Sequence, residues 1–177
     1  MEIGAEKGSK PSIDMELCSL HPFTSNDYPL LIDWITTDTL NYQWSGPQFT
    51  FPLTHRQLTD HYRNQAAQPF LFHVNGRKVG FVELVRVDND TLRICRVFIH
   101  PDFQGQGFAF RMLKRLIALA TSENERSDIT LSVFSHNRSA IHCYQKLGFV
   151  RTDIVRNTKF VEGRYWDLWL MSLKRTS

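Results

Sequence analysis

The stretch that most constrains this chain is residues 97–120, which reads as strand, turn and helix in immediate succession. The β-branched and aromatic residues up to Ile99 suit a buried strand, and Pro101 ends it because proline cannot donate to a sheet ladder. Gly105 and Gly107 then leave bare backbone where the helix starts. We expect the amide hydrogens of this loop to point into one concavity, with the positive end of the helix dipole behind them. This arrangement predicts a phosphate-binding loop that needs no charged side chain.

Two further motifs follow the loop. The full set is Gln104-x-x-Gly107-x-Ala109, then Asn137-x-x-Ala140-x-x-x-Tyr144, then Gly148-Phe149. The Gly-x-Gly element alone is equally compatible with a plain turn. The combination resembles the signature of the GNAT superfamily of acyl-CoA-dependent N-acyltransferases. The resemblance covers about residues 70–173 and is much weaker in residues 1–68, the part that in this family usually contributes to substrate choice.

The length of 177 residues fits one domain with a sizeable core. We expect residues 1–12, which are rich in Gly, Lys, Glu and Ser, to form a disordered tail, and residues 13–177 to form a single domain. No run approaches the roughly 20 apolar residues that span a bilayer, and the N-terminus lacks the pattern of a secretion signal. We therefore expect a cytoplasmic protein with no membrane partner.

The net charge and the cysteines limit the kinds of partner and of site that we expect. A formal net charge of +3 helps to hold an anionic cofactor, but without a basic block it does not argue for nucleic acid. Cys18, Cys95 and Cys143 lie far apart inside apolar patterns, so we expect reduced buried thiols rather than a disulfide framework or a metal site. A nucleophilic cysteine is the alternative, although none stands beside an obvious histidine base.

The first third of the chain predicts one strand and two helices. The strand spans residues 13–20, one helix runs from caps at residues 24–27 to about Ile35, and the other runs from a capping box at Thr54 to about Ala67. Residues 36–52 look too broken for regular structure. This segment carries four aromatic residues, Tyr42, Trp44, Phe49 and Phe51. They either plug the core or line a pocket.

The remainder predicts a mixed sheet with flanking helices. A hairpin turns at Asn75-Gly76 and another turn follows at residues 88–90, so three consecutive strands form an antiparallel meander. The helix after the loop connects the third of these strands to residues 129–134, which makes that pair parallel. A helix over residues 139–147 and an antiparallel pair around Glu162-Gly163 complete an α/β (α+β mixed) fold. Its sheet has about seven strands and is mostly antiparallel.

Acetyl transfer to an amine requires a polarised carbonyl, a deprotonated amine and a proton for the departing thiolate. The resemblance implies that acetyl-CoA is the cosubstrate and that its pantetheine arm inserts where the central parallel strands splay apart. It implies cofactor contacts from Val97, Phe98, Ile99, Gln104, Gly105, Gln106, Gly107, Phe108, Ala109, Phe110, Asn137 and Tyr144. An ordinary central strand at residues 97–99 and a simple helix N-cap at Asn137 are the alternatives.

Tyr144 lies seven residues after Asn137 and in phase with Ala140, so on a helix it would face the splay. The resemblance makes it the catalytic proton donor to the CoA thiolate, a role that a phenol with a pKa of about 10 can fill. The alternative is an aromatic side chain that only packs on the sheet.

Several groups compete for the role of general base. Some GNAT N-acetyltransferases that act on ribosomal protein N-termini place a glutamate at the position of Ser132. Glu83 is the first candidate here, because on a strand it shares a face with apolar neighbours and desolvation makes a carboxylate a better proton acceptor. A structural ion pair with Arg96 or Arg86 is the alternative for Glu83. Asp167 and ordered water are the next candidates. Four histidines are weaker ones and fit no metal motif: His73, His100, His136 and His142.

These features predict an N-acetyltransferase that moves an acetyl group from acetyl-CoA to a primary amine of a small molecule or a peptide N-terminus by direct attack. A small molecule is preferred, because the aromatic segment with nearby Asp33 and Asp38 could surround an organic cation. A non-catalytic module that binds or senses acyl-CoA is the alternative, since no base is assured. We expect a monomer or a homodimer.

Overall fold

The computed structural model describes residues 17–123 and 127–174, and within them seven strands form one sheet in the order β1-β2-β3-β4-β5-β7-β6. The strands are β1 (Cys18–Pro22), β2 (Ala67–Val74), β3 (Arg77–Arg86), β4 (Thr91–Ile99), β5 (Asp128–Phe134), β6 (Val150–Val161) and β7 (Arg164–Leu173). The helices are α1 (Tyr28–Trp34), α2 (Asp38–Ser45), α3 (His55–Tyr62), α4 (Phe108–Glu123) and α5 (Arg138–Lys146). All neighbouring pairs are antiparallel except β4 and β5, which run parallel. The predicted mixed, mostly antiparallel α/β fold is confirmed.

The predicted turns determine the meander of β2, β3 and β4. Asn75 and Gly76 both adopt positive φ angles, 50° and 79°, as a tight hairpin turn of this kind requires. Glu162 and Gly163, with φ angles of 50° and 85°, connect β6 to β7 in the same way.

The central parallel pair splays apart after a short zone of contact. Residues 91–93 of β4 pair with residues 128–130 of β5, and no pairing continues beyond them. β5 instead stays paired along its length with β7. The later part of β4 therefore has an open side, as predicted for a splayed pair, and the two clefts described below lie there.

Two apolar clusters cover the two faces of the sheet. On one face α4 buries Met112, Leu113 and Leu116 against the sheet, with Ile141 of α5 beside them. On the other face α1, α2 and α3 pack an aromatic cluster that includes Tyr28, Trp34, Trp44, Phe49 and Phe81. The splay thus lies between a layer of aliphatic helix side chains and a layer rich in rings.

The expectation that residues 36–52 lack regular structure is wrong, because α2 forms there. The Thr37 side chain caps the helix by accepting a hydrogen bond from the Leu40 amide at 3.1 Å, and Gly46 ends it with a φ of +55°. The second helix is also shorter than predicted: α3 ends at Tyr62, and β2 begins at Ala67.

The predicted tail and the first four residues of the predicted first strand lie outside the described residues. The division into a tail of residues 1–12 and one domain of residues 13–177 stays a prediction. Within the described part of the chain, no helix combines the length and the apolar composition needed to cross a membrane.

Candidate active site

The loop after β4 is tied to the strand by side chains. Residues Pro101–Phe103 form a short 3-10 helix, which the His100 ring caps by accepting a hydrogen bond from the Asp102 amide at 3.2 Å. The side-chain nitrogen Nε2 of Gln104 then donates to the Ile99 carbonyl at 3.0 Å. These bonds fix the direction in which the chain leaves the sheet and enters α4.

The two loop glycines meet a conformational requirement. Gly105 and Gly107 have φ angles of +74° and +78°, a region that side chains other than glycine rarely adopt. A β-carbon at either position would meet no atom within 4 Å, so the requirement is the backbone angle and not crowding. The loop therefore presents bare backbone to open space.

The start of α4 offers unpaired backbone donors. The Arg111 amide bonds the Gly107 carbonyl at 3.2 Å, so the amides of Phe108, Ala109 and Phe110 precede the first turn of helical hydrogen bonds. α4 is 16 residues long, and its dipole adds partial positive charge at this end. The Lys146 ammonium lies 5.1 Å from the centroid of the Phe110 ring and adds a full positive charge. This is an environment for an anion.

A first cleft of about 660 Å³ opens along this loop. Its walls are the end of β4, the loop, the start of α4 and the inner side of α5, with Leu40, Gln43 and Trp44 of α2 above. Of the predicted cofactor-binding residues, Val97, Phe98, Ile99, Gln104, Gly105, Gly107, Phe108, Ala109, Phe110, Asn137 and Tyr144 line it. Gln106 does not: it is exposed and its side chain donates to the Asp102 carbonyl at 3.5 Å.

A second cleft of about 320 Å³ lies on the other side of the splay, between α2, β4 and β5. The two clefts share five lining residues, Gln43, Trp44, Val97, Asn137 and Tyr144. A group bound along the first cleft can therefore meet a group bound in the second at the open side of β4.

Tyr144 stands at this junction. α5 places it there, buried, where it lines both clefts. Burial, with a smaller effect of the Cys143 thiol, raises the pKa of the Tyr144 phenol above its ordinary value. The hydroxyl is therefore protonated at neutral pH and is able to donate a proton to a base that forms at the junction.

Asn137 is the N-cap residue that precedes α5, and its side chain accepts a hydrogen bond from the Ala140 amide at 3.4 Å. The predicted N-cap role is confirmed. Because Asn137 also lines both clefts, its side chain is at the same time within the walls of the candidate site.

Glu83 does not line either cleft. Its carboxylate is fully buried, forms an ion pair with Arg96 and accepts a hydrogen bond from His61 Nε2 at 2.8 Å. Burial, assisted by the charge of Arg96, lowers the pKa of His61 to about 4, so the ring is neutral and donates its N–H. The ion pair with Arg96 that the sequence allowed is confirmed, and the base role of Glu83 stays a prediction.

None of the other base candidates lines both clefts. Asp167 accepts a hydrogen bond from the Asn157 amide at 2.9 Å and pairs with Arg156 at 3.4 Å. Of the histidines, His142 lines the first cleft, while His136 contacts Gln43 at 3.0 Å and His73 stacks on His21. Asp33 and Asp38 are exposed and line neither cleft, so their role around an organic cation stays a prediction.

The three cysteines are free thiols. Burial raises the pKa of Cys95 to about 11 and also raises the pKa of Cys143, so neither is a thiolate at neutral pH. The two line the clefts without the activation that a nucleophile needs. Among the residues that the structure describes, no three His, Cys, Asp or Glu side chains form a group that could hold a metal ion.

The sequence does not reveal that residues 38–45 form a helix, or that Arg93 and Arg96 line the second cleft. Trp44 Nε1 donates to the Arg96 carbonyl at 2.9 Å, which pins α2 over β4. Arg96 has a φ of +52°, and the register between β3 and β4 shifts beside it, between Phe81 and Glu83. Arg93 and Arg96 both line the second cleft. The cap at Thr37 was a usable signal for α2, but the bulge at Arg96 has no sequence signature.

Comparisons with known proteins agree with this geometry. The chain matches the model of the acetyltransferase (GNAT) family over residues 38–149. It is 28% identical to spermidine N(1)-acetyltransferase of Escherichia coli (strain K12) over 71% of this chain and 68% of that protein. It is 35% identical to an L-amino acid N-acyltransferase of the same organism over 44% of this chain and 45% of that one.

Solved structures give the same fold. The crystal structure of spermidine N-acetyltransferase from Vibrio cholerae in complex with CoA and spermine superposes with a TM-score of 0.78. The match covers 89% of this chain and 95% of that one at 21% sequence identity. The family match extends over most of the chain and includes the loop, the splay and Tyr144. The chain therefore belongs to the acetyltransferase (GNAT) family and is an N-acetyltransferase.

Proposed function

We propose that the chain transfers the acetyl group of acetyl-CoA to a primary amine of a small molecule or a peptide N-terminus by direct attack. The observation that carries this proposal is the junction of the two clefts at Tyr144, on the open side of β4. One cleft suits a long donor, and the other lets an amine approach its reactive end. The names of the relatives, which act on spermidine and on L-amino acids, support an amine acceptor.

Acetyl-CoA is proposed to lie in the first cleft with its pyrophosphate on the loop amides. Gly105 and Gly107 allow the phosphates to approach the backbone, and the α4 dipole with Lys146 stabilises their charge. The pantetheine arm is proposed to run along Val97, Phe98 and Ile99, whose backbone borders the splay. Asn137 is proposed as a further cofactor contact beside its capping role.

The chemistry needs one proton donor and one proton acceptor. Tyr144 is proposed to protonate the departing CoA thiolate, which its buried, neutral phenol supports. The residues described as lining the two clefts include no carboxylate, which supports water as the first acceptor of the amine proton. Glu83 stays a candidate behind Arg96, and a direct role for it requires the ion pair to open.

The test is the release of free thiol from acetyl-CoA with a panel of primary amines, compared between the wild type and Tyr144→Phe. Amine-dependent release that falls steeply in the variant supports the proposal. If acetyl-CoA binds but no amine releases thiol, the chain is a non-catalytic acyl-CoA-binding module instead. The expectation of a monomer or a homodimer stays a prediction, which light scattering of the purified protein can test.

A further inference from the structure

The second cleft, in which the acceptor amine is proposed to bind, carries positive charge. Among the described residues that line it, the charged ones are Arg93 and Arg96, and none is Asp or Glu. The first cleft has the same bias, with Lys146 as its charged lining residue. A substrate with several ammonium groups would therefore meet like charge, which disfavours its binding.

Arg93 is the charge that is free to act on a substrate. Arg96 is paired with the buried Glu83, and because His61 is neutral, this pair has no net charge. Arg93 is exposed, and no carboxylate among residues 17–123 and 127–174 forms an ion pair with it. Arg93 lies two residues before Cys95 on β4 and lines the second cleft, so its positive charge lies at the wall of that cleft.

Two further cations lie near this cleft without lining it. The Lys159 ammonium lies 4.9 Å from the centroid of the Tyr42 ring, and Tyr42 lines the cleft. The charge of Arg164 reaches His136, whose ring contacts Gln43 at 3.0 Å. The nearby Asp167 does not offset them, since Arg156 and the Asn157 amide already hold its carboxylate.

We infer that the acceptor is a primary amine that also carries a carboxylate, as a short peptide does, and that Arg93 binds this carboxylate. The inference rests on the proposed function and names the substrate class for the same site. Arginine suits this role because its planar guanidinium can bind a carboxylate through two hydrogen bonds.

The strand geometry limits the distance between the two groups of the substrate. Arg93 lies four residues before Val97, which borders both clefts, so their Cα atoms are at most about 13 Å apart at a strand rise of about 3.3 Å per residue. Because an arginine side chain is shorter than this distance, several bonds can lie between the amine and the carboxylate of the substrate. A dipeptide or tripeptide therefore fits this distance better than a single α-amino acid.

The test compares kcat/KM for triglycine, triglycine amide and spermidine by thiol release from acetyl-CoA. We expect triglycine to exceed its amide at least tenfold and the amide to exceed spermidine. Equal values for triglycine and its amide, or a higher value for spermidine, overturn the inference and leave the proposed function standing. No release with any amine, while calorimetry shows that acetyl-CoA binds, overturns both.

Variants of Arg93 test the residue itself. Arg93→Gln should raise the KM for triglycine at least tenfold and leave the KM for the amide within twofold, while Arg93→Glu should improve the ratio of spermidine to triglycine. Arg86→Gln is the matched control, because Arg86 is an exposed arginine on the neighbouring strand that lines neither cleft. An Arg93→Gln enzyme that behaves like the Arg86→Gln control contradicts the assignment.

Discussion

The two clefts differ in what builds them. At its loop end the first presents main chain, with two glycines at positive φ and the free amides at the start of α4. The second is lined by residues of α2, β4, β5, α5, β6 and β7, which lie far apart in sequence. The two clefts therefore suit two tasks. A loop of main chain can bind the same phosphates whatever the side chains are, whereas substitutions in a cleft lined by side chains can change which acceptor it binds.

The largest expected effect breaks the first cleft. Gly107→Glu forces a side chain into a φ of +78° and places a negative charge where the phosphates are proposed to lie. We expect the affinity for acetyl-CoA to fall at least about a hundredfold, measured by calorimetry.

Gly76→Glu is the matched control for this substitution. Gly76 has a φ of +79° in the β2–β3 hairpin and lines neither cleft, so this variant carries the same strain without the charge at the site. We expect both variants to lose about 1–2 kcal/mol of unfolding free energy. Equal acetyl-CoA affinity in the two variants would remove the loop from the binding site.

The next effect concerns the junction of the clefts. Tyr144→Phe removes the proposed proton donor and keeps the ring that packs against Phe149. We expect kcat to fall by a factor of about 10² to 10⁴ while the affinity for CoA stays within twofold. Tyr165→Phe, at an exposed position on β7, is the control and should leave both unchanged. An unaltered kcat in Tyr144→Phe would show that another group donates the proton to the CoA thiolate.

A smaller effect distinguishes a structural role of Glu83 from a catalytic one. Glu83→Gln leaves the Arg96 charge buried without its partner, so we expect a loss of about 3 kcal/mol of unfolding free energy, measured in urea. Asp60→Asn, which affects an exposed pair with Arg63, should cost less than about 1 kcal/mol. If Glu83→Gln stays fully stable and instead loses a limb of the pH–rate profile, Glu83 is the general base.

The smallest expected effect is a pH dependence of stability. The pKa of His61 is about 4 in the folded chain and about 6.5 when unfolded, so between these values the unfolded state binds more protons. The contribution of His61 to the unfolding free energy is therefore fully present above pH 6.5, and it is lost as the pH falls towards 4.

At pH 5 this contribution has fallen by about 2 kcal/mol, and His61→Gln should lose that part of the pH dependence. Urea denaturation at pH 7 and pH 5 measures it. Parallel pH curves for the wild type and the variant would show that His61 is not the group involved.

The first cleft was predictable because its signals are local. Glycine spacing, a strand-ending proline and a helix start occupy one continuous stretch, so the sequence predicts that Gly105, Gly107 and the amides up to Phe110 form a loop with exposed backbone. Asn75-Gly76 determined its hairpin for the same reason. Positions whose backbone angle depends on the residue type can be predicted without knowing the rest of the fold.

The second cleft was not predictable because it depends on register. Whether Arg96 points at Glu83 depends on the bulge between β3 and β4, and a shift of one residue would reverse the faces. Helix α2 was not predicted within residues 36–52, because Ser45-Gly46-Pro47 is typical of a loop. The N-cap at Thr37 was the local signal for this helix. The reach of Arg93 into the cleft follows only from the assembled sheet.

A crystal structure of the protein with bound acetyl-CoA tests the roles of the two clefts. We expect pyrophosphate oxygens within hydrogen-bond distance of the amides of residues 105–110, and the thioester sulfur in the splay beside the Tyr144 hydroxyl. Acetyl-CoA density outside the first cleft, or a sulfur remote from Tyr144, would contradict these roles.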